Sequence, residues 1–351
     1  MDVPNPKEIL EKYKTYISIF FIIAIIVVLL FYITSKTNLK QVNCRRIEHN
    51  KQLNLSSMSD SDEKLNNFFI KTAYNCCCTG NFKNDYVDLC SLKNCATQGV
   101  RALDFQIYSL NNKPVISASS VKTNKYKEIY NYLEFYDTML NIKRYFIDDS
   151  TTSSNNTDPL FLIFRLYSTN QKIYDDMGDA LNNIFGFANS MGNLIYIAPP
   201  GITLDNESLN NLRNKVIIIV DPANGDPPKF ESSKLNWINS LTVGTGTNNA
   251  YNEKDSLINV SSIHENAQSN LTFLYPEISY ISSNYDFVTT GIFNYISFIC
   301  MSFQTNDKWL TNYNSKDFFG SNAFISKTEI ITNMASNTKY STQLTKYNAL
   351  L

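Results

Sequence analysis

The sequence predicts an α/β protein, a TIM-type (β/α)8 barrel preceded by one N-terminal transmembrane helix. Three observations carry that prediction. Residues 15–35 form an uncharged run dense in Ile, Phe, Val and Leu. Beyond it, short apolar runs at 68–73, 101–108, 159–167 and 215–220 alternate with stretches of helical period at 85–98, 127–146 and 173–185. Buried apolar strands separated by helices imply a parallel sheet, and this many units close most naturally as a barrel. The length of 351 residues (40.1 kDa) suffices for one large domain and an appendage.

The N-terminal part divides into a short tail (1–14), the span (15–35) and a polar stalk (36–63). The 21 residues of the span rise roughly 32 Å as a helix, enough for a hydrocarbon core of about 30 Å. Tyr13, Tyr16 and Tyr32 lie near its ends, where amphipathic rings favour the interface. The run is too long for a signal peptide and no small-x-small cleavage site follows Ile33, so a retained single-pass anchor is expected. Sidedness stays open. Lys36, Lys40, Arg45, Arg46 and Lys51 outnumber Lys7, Lys12 and Lys14, which favours a cytosolic C-terminal domain. Five Asn-x-Ser/Thr sites (Asn54, Asn155, Asn206, Asn259, Asn270) and clustered cysteines favour the opposite face.

Within the main domain, 68–73 reads as the first strand and 85–98 as an amphipathic helix with Tyr86, Leu89, Leu92 and Cys95 at helical spacing. A strand at 101–108, an Asn-rich turn at 110–113 and a short strand at 114–117 follow. Residues 127–146 repeat the helical stripe through Ile129, Leu133, Phe135, Met139, Leu140 and Ile142. The next elements are a buried strand (159–167), a helix (173–185) and strands at 195–198 and 215–220. Residues 222–269, with PANGDPP and GTGTNN, read as an irregular linker. A net charge of −1 and pI near 6.2 give no reason to expect a nucleic-acid partner. Abundant Asn, Tyr, Phe, Ile and Lys with few Gly and Pro match AT-rich genomes, such as those of some protists and large DNA viruses; a viral envelope or inner membrane is therefore one expected location.

The stretch QGVRALDFQIYSLNNKPVISAS (98–119) resembles the heart of the phosphatidylinositol-specific phospholipase C family, G-x-R-x-[VL]-[ED]-[LF]-D, a turn, then P-[VI]-[VI]-x-H-G. LNNLRNKVIII is similar to its L-[KR]-[GN]-K-[VI]-[IL]-[IL] strand. LYPEISYISSNYDF, NYISFICMSFQTND and FFGSNAFISK resemble its later Y-P…S-S-N-Y, L-N-F-Q-T-x-D and closing segments. The resemblance covers 64–327 and implies an X-like half at 64–221, the linker at 222–269, a Y-like half at 270–330 and a C-terminal tail.

It also implies where catalytic groups would stand. Family enzymes let the inositol 2-hydroxyl attack phosphorus, helped by two histidines and, in the eukaryotic kind, Ca²⁺ held by carboxylates and an Asn. Here Tyr74 stands for the first histidine and Ala118 for the second. Asn75 and Asp104 remain, while Gln106 and Arg165 replace carboxylates. Ile219, Asp221 and Phe273 stand where phosphate-gripping cations would be, and Tyr275 persists. One carboxylate beside an arginine is too little for an ion wanting six to eight oxygens, so neither metal nor cofactor is expected. The chain has two histidines, His49 in the stalk and His264 in the linker. Losing general acid–base help costs typically about 10²–10⁴-fold in rate.

The resemblance therefore implies a catalytically inactive, membrane-anchored barrel. Asn75, Asp104, Arg165 and Tyr275 are its candidate ligands for a lipid headgroup, a sugar or a protein segment. Asp104 and Arg165 read more simply as a buried ion pair, and Tyr74 as a filler. Two alternatives stand: a phosphodiesterase using Asp104, Arg165 and Tyr275, and a purely structural membrane component. Cys300 reads as a core residue. Cys76, Cys77 and Cys78, with Cys90 and Cys95 on the next helix, are disulfide candidates; the spacing offers no zinc site.

Overall fold

The computed structural model describes residues 6–50, 52–121, 126–186, 192–244 and 248–351. Residues 1–5 of the expected tail and 245–247 of the GTGTNN turn lie outside them. A long helix α1 (Pro6–Glu48) leads into β1 (Phe68–Ala73), α2 (Leu89–Thr97), β2 (Ala102–Leu110), β3 (Lys113–Ser117), β4 (Leu133–Glu134), α3 (Phe135–Lys143), β5 (Leu160–Leu166) and α4 (Gln171–Phe185). Next come β6 (Val216–Asp221), α5 (Pro227–Glu231), α6 (Lys234–Trp237), β7 (Leu241–Thr242), β8 (Ala250–Asn252), α7 (Glu253–Ile258) and α8 (Val260–Ser269). The chain ends with β9 (Phe273–Tyr275), β10 (Phe298–Met301), α9 (Lys308–Tyr313), β11 (Phe324–Ser326), α10 (Lys327–Ser336) and α11 (Thr338–Asn348).

Eight parallel strands run in the order β7-β6-β5-β2-β1-β10-β9-β8 and curl into a half-barrel. The end strands β7 and β8 do not pair with each other among the described residues. β11 adds antiparallel to β1, and the β2–β3 hairpin carries β4. The hairpin turns at Asn111 and Asn112, both with positive φ (50° and 57°), the conformation that a two-residue turn matching strand twist requires.

The long runs FLIFRL and VIIIV form β5 and β6 because a parallel strand covered on both faces must be apolar throughout, and every residue of β5 is buried. Alternate side chains fill the bore. Phe68 and Ile70 of β1, Ala102 of β2, Phe161 and Ile163 of β5, Ile217 and Ile219 of β6, Phe273 of β9 and Phe298 of β10 form one cluster. The rings of Phe273 and Phe298 stack at 4.5 Å, and Phe161 meets Phe298 edge-on at 5.4 Å. The outward set packs under the helices.

Three expectations need correction. Residues 222–269 are not an irregular linker: they hold α5 to α8 and supply β7 and β8, two of the eight parallel strands. The helix expected over 127–146 begins only at Phe135, because Asn131 exchanges hydrogen bonds with Val87 N and O and Lys127 Nζ binds the carbonyls of Ile129 and Tyr130. Residues 195–198 make a single bridge, Ile195 to Val216, and not a strand.

The polar stalk is the fourth correction. α1 runs unbroken from its apolar part to Glu48, and its last turns dock on the barrel. Asn43 Nδ2 donates to Asp85 Oδ1 (2.9 Å), Arg46 Nη2 to the Thr79 carbonyl (3.2 Å), and Lys40 pairs with Asp88 (2.6 Å). Ile47 is buried, and a disulfide joins Cys44 to Cys90. Of the candidate cysteines Cys90 alone is bridged, to a partner outside the candidate set. Cys76, Cys77 and Cys78, which lie in the turn after β1 and not on a strand, and Cys95 on α2 are buried free thiols. Closing a loop of 46 residues removes unfolded-state entropy worth about 4 kcal/mol. We expect Cys44→Ser to lower unfolding free energy by roughly 2–4 kcal/mol, read by urea titration in detergent.

Among the described residues, two buried lysines have no acid partner. Lys71 Nζ meets the Gly320 carbonyl at 3.4 Å, and Lys327 Nζ meets the Ala267 carbonyl and Ser297 Oγ. Burial lowers both pKa values from 10.5 to about 7. The unfolded chain therefore binds more protons between about pH 7 and 10.5, and stability rises with pH across that window. The expected slope is up to roughly 1.4 kcal/mol per pH unit for each lysine. Urea midpoints measured from pH 7 to 9 check it, and Lys71→Met should flatten the rise.

Candidate functional site

In a parallel barrel, side chains at the carboxyl ends of the strands converge on one mouth. Asp104 on β2 and Arg165 on β5 lie in the bore-facing alternation one step above Ala102 and Ile163. Tyr74 and Asn75 follow directly on β1, and Tyr275 ends β9. Of the residues singled out from the sequence, Tyr74, Asn75, Asp104, Arg165 and Tyr275 meet as one closed cluster.

Arg165 is its centre. Its Nε donates to Asp104 Oδ1 at 2.7 Å and its Nη2 to Asp104 Oδ2 at 2.6 Å, a bidentate fork. Nη2 also donates to Asn75 Oδ1 at 2.8 Å, and Nη1 lies 3.4 Å from the hydroxyls of Tyr74 and Tyr167. The guanidinium sits 4.6 Å from the Tyr74 ring centroid and 5.1 Å from that of Tyr275. The Asn75 backbone N–H donates to Asp104 Oδ2 at 2.9 Å, and this residue adopts φ +43°, a left-handed conformation Asn tolerates.

Both charges are out of water: the side chains of Arg165 and Asp104 are 5% and 0% exposed. Burial works against the guanidinium charge, but the Asp104 carboxylate, with Tyr74 and Tyr167, outweighs it and raises the Arg165 pKa well above its ordinary value. Burial also pushes the Tyr74 and Tyr275 phenols upward, against the lowering pull of Arg165, so neither is an accessible base.

The remaining family positions are structural here. Gln106 Oε1 accepts from the Tyr108 hydroxyl and from Ser119 N, each at 2.8 Å, tying the β2–β3 hairpin to the loop after it. Ala118 is fully buried and offers only its carbonyl, to Glu128 N. The gap bordered by Asn75, Asp104, Gln106 and Cys78 leaves no room for a water molecule. Neither histidine joins the cluster. His49 Nδ1 contacts the Arg45 carbonyl, and His264 packs on Tyr295 and the Phe293 carbonyl.

The residues present do not fit the Ca²⁺ that the resemblance implies. The oxygens available to an ion, both of Asp104 and the Oδ1 of Asn75, are held by a fixed guanidinium charge at 2.6–2.8 Å. Tyr167 was not singled out from the sequence, although its period-2 spacing from Arg165 on an extended segment was a readable signal. Cys44 was missed too, because its partner is set by tertiary packing alone.

Removing one charge of this pair leaves the other buried and unpaired. We expect Arg165→Met to cost about 3–5 kcal/mol of unfolding free energy and Asp104→Leu/Arg165→Met to recover most of it. Urea unfolding of the three chains measures both effects.

No family model matches the chain, and no curated protein matches it. Solved structures do. A phospholipase C from S. officinalis, PLC21, superposes with TM-score 0.59 at 14% identity, covering 77% of this chain and 38% of that one. PLC21 from L. pealei gives 0.58 at 15% identity, covering 79% and 38%. The chain thus spans less than two fifths of the length of those proteins, and at such identity the likeness is one of fold. The fold of this chain is that of the phosphatidylinositol-specific phospholipase C catalytic barrel, with a long apolar helix at its N-terminus.

Proposed function

We propose that this chain is a membrane-anchored phospholipase C-like barrel without phospholipase activity, serving as a structural membrane component. The observation that carries this is the bidentate Arg165–Asp104 pair, buried under Tyr74 and Tyr275, where the resemblance puts metal and acid–base groups. Phosphodiester cleavage needs a base, charge neutralisation at phosphorus and room for the substrate. Here the cation is already committed to Asp104, the Tyr74 and Tyr275 phenols hold their protons, and their rings cover the guanidinium.

Anchoring by α1 is supported by an 18-residue window of mean hydropathy 3.0 with none of it buried in the protein. The helix passes without a break from that window into its docked end, which supports a retained anchor over a removed leader. The Cys44–Cys90 bridge supports a barrel on the oxidising face of the membrane.

A second reading, a small polar ligand at the mouth, is favoured by one observation. The Asn75 Nδ2 amide and the Tyr275 hydroxyl are buried and make no hydrogen bond, a cost of about 1–3 kcal/mol each that a ligand would relieve. Purified full-length chain incubated with phosphatidylinositol and Ca²⁺ is expected to release no inositol phosphate. Turnover that disappears in a folded Asp104→Asn chain would overturn the inactive reading. Saturable myo-inositol or inositol phosphate binding, lost in Tyr275→Phe, would favour the ligand reading.

A further inference from the structure

The fold treats the five Asn-x-Ser/Thr sites in two ways. Asn54 lies in the segment between α1 and β1, Asn206 ends the short turn Leu204–Asn206, and Asn259 stands between α7 and α8. All three side chains are exposed, and Asn259 makes no capping bond to the helix it precedes. Asn155 is fully buried: its Nδ2 donates to the Gly99 carbonyl (3.4 Å) and its Oδ1 accepts from Ser153 Oγ (2.7 Å). Asn270 is half-buried, its Nδ2 donates to the carbonyl and Oδ1 of Asn266, and Thr272, the hydroxyl residue of its motif, is fully buried.

The Cys44–Cys90 bridge supports a barrel on the oxidising face of the membrane, and that is the face where Asn-x-Ser/Thr motifs are offered to glycan transfer. The basic residues that follow the span, which favour the other face when counted in the sequence, have a second use in the fold. Lys40 pairs with Asp88, and Arg46 donates to the Thr79 carbonyl, so both serve to dock α1 on the barrel.

We propose that the barrel carries N-linked glycans at Asn54, Asn206 and Asn259 and none at Asn155 or Asn270. The donor is an oligosaccharide joined through pyrophosphate to a polyprenol lipid. The Asn amide nitrogen attacks the anomeric carbon; an N–C bond forms, the C–O bond to pyrophosphate breaks, the lipid pyrophosphate leaves, and one amide proton passes to a base of the transferase. Transfer meets the chain before it folds, so the fold acts afterwards as a filter. A sugar on Asn155 would need space inside a close-packed interior, and one on Asn270 would displace an N–H that ties this residue to the end of α8. At the three exposed positions the sugar projects into solvent. Asn206 gives up one of its bonds to Thr203 Oγ1 and Asp205 Oδ2, keeps the other, and keeps its Oδ1 for Lys64. The proposal rests on the oxidising-face reading and is independent of catalytic status.

Electrophoretic mobility tests it. The full-length chain is expressed in insect cells, and membrane fractions are run before and after digestion with peptide N-glycosidase. The expected result is a gain in mobility of three glycan steps. Asn54→Gln, Asn206→Gln and Asn259→Gln chains should each lose one step, and the triple variant all of them; these positions are exposed, so the variants keep the fold. A step that persists in the triple variant, or fewer than three steps in the unsubstituted chain, overturns the assignment. Maleimide labelling of the denatured, unreduced chain separates the failures. With the bridge formed, five of the seven cysteines react. No glycan step with five reactive thiols refutes the glycosylation alone, whereas no step with all seven reactive refutes the oxidising-face reading together with it.

Discussion

An arginine and an aspartate share the top of the bore, and most of what this molecule can do follows from their pairing. Each charge alone would be very costly at that depth; together, in a two-point fork, each is the other's main compensation. The fork also dictates its surroundings. Asn75 takes a left-handed backbone so that its N–H reaches Asp104 Oδ2 while its side-chain oxygen reaches Arg165 Nη2. Tyr74 and Tyr275 close over the guanidinium, their rings 5.7 Å apart, and Tyr74 is braced edge-on by Phe82. A cluster whose charges are satisfied so fully from within has little charge to offer a substrate. Such a pair adds little net stability over a well-packed apolar core, and its value lies in specifying one arrangement of the strands that meet there.

The substitutions at the other positions of the mouth are mutually consistent in physical terms. Ala118 is buried as the first residue of the loop after β3, and Gln106 ties that loop by accepting from Ser119 N. Tyr167 fills beside Arg165 and stacks on Tyr108 at 5.3 Å. No position remains as an unsatisfied carboxylate awaiting a metal. The two unsatisfied groups that do remain, the Asn75 amide and the Tyr275 hydroxyl, are neutral and cost less than a buried charge would.

Much of this was legible in the sequence where apolar runs were long. β1, β2, β5 and β6 are six to nine residues each, and the Asn-Asn turn declared the hairpin. The Asp104–Arg165 pair was readable because two opposite charges stood in adjacent strands that were otherwise uncharged. β7 and β8, of two and three residues, are too short for any period to show, so the segment holding them looked like a linker. The helix after Thr37 was invisible for a different reason. Its residues are polar, and its order comes from tertiary contacts of Asn43, Cys44 and Ile47 that no local pattern announces. The apolar stripe at 127–134 misled because Ile129 is buried by loop packing and not by a helix.

The docked helix changes what the closed mouth means. A barrel on a flexible stalk could turn any face to the membrane, and filling its mouth would then say little about the bilayer. Here the last turns of α1 dock on the loop after β1 and on the first turn of α2, at the end of the barrel that holds the Arg165–Asp104 pair. An open mouth would expose Asp104 and Arg165 to exchange with solvent ions that compete for the same charges. Internal pairing removes that competition and leaves tyrosines and Ile281 at the rim. The ion pair inside and the tyrosines outside thus lie at the same end of the barrel, the end on which the last turns of α1 dock.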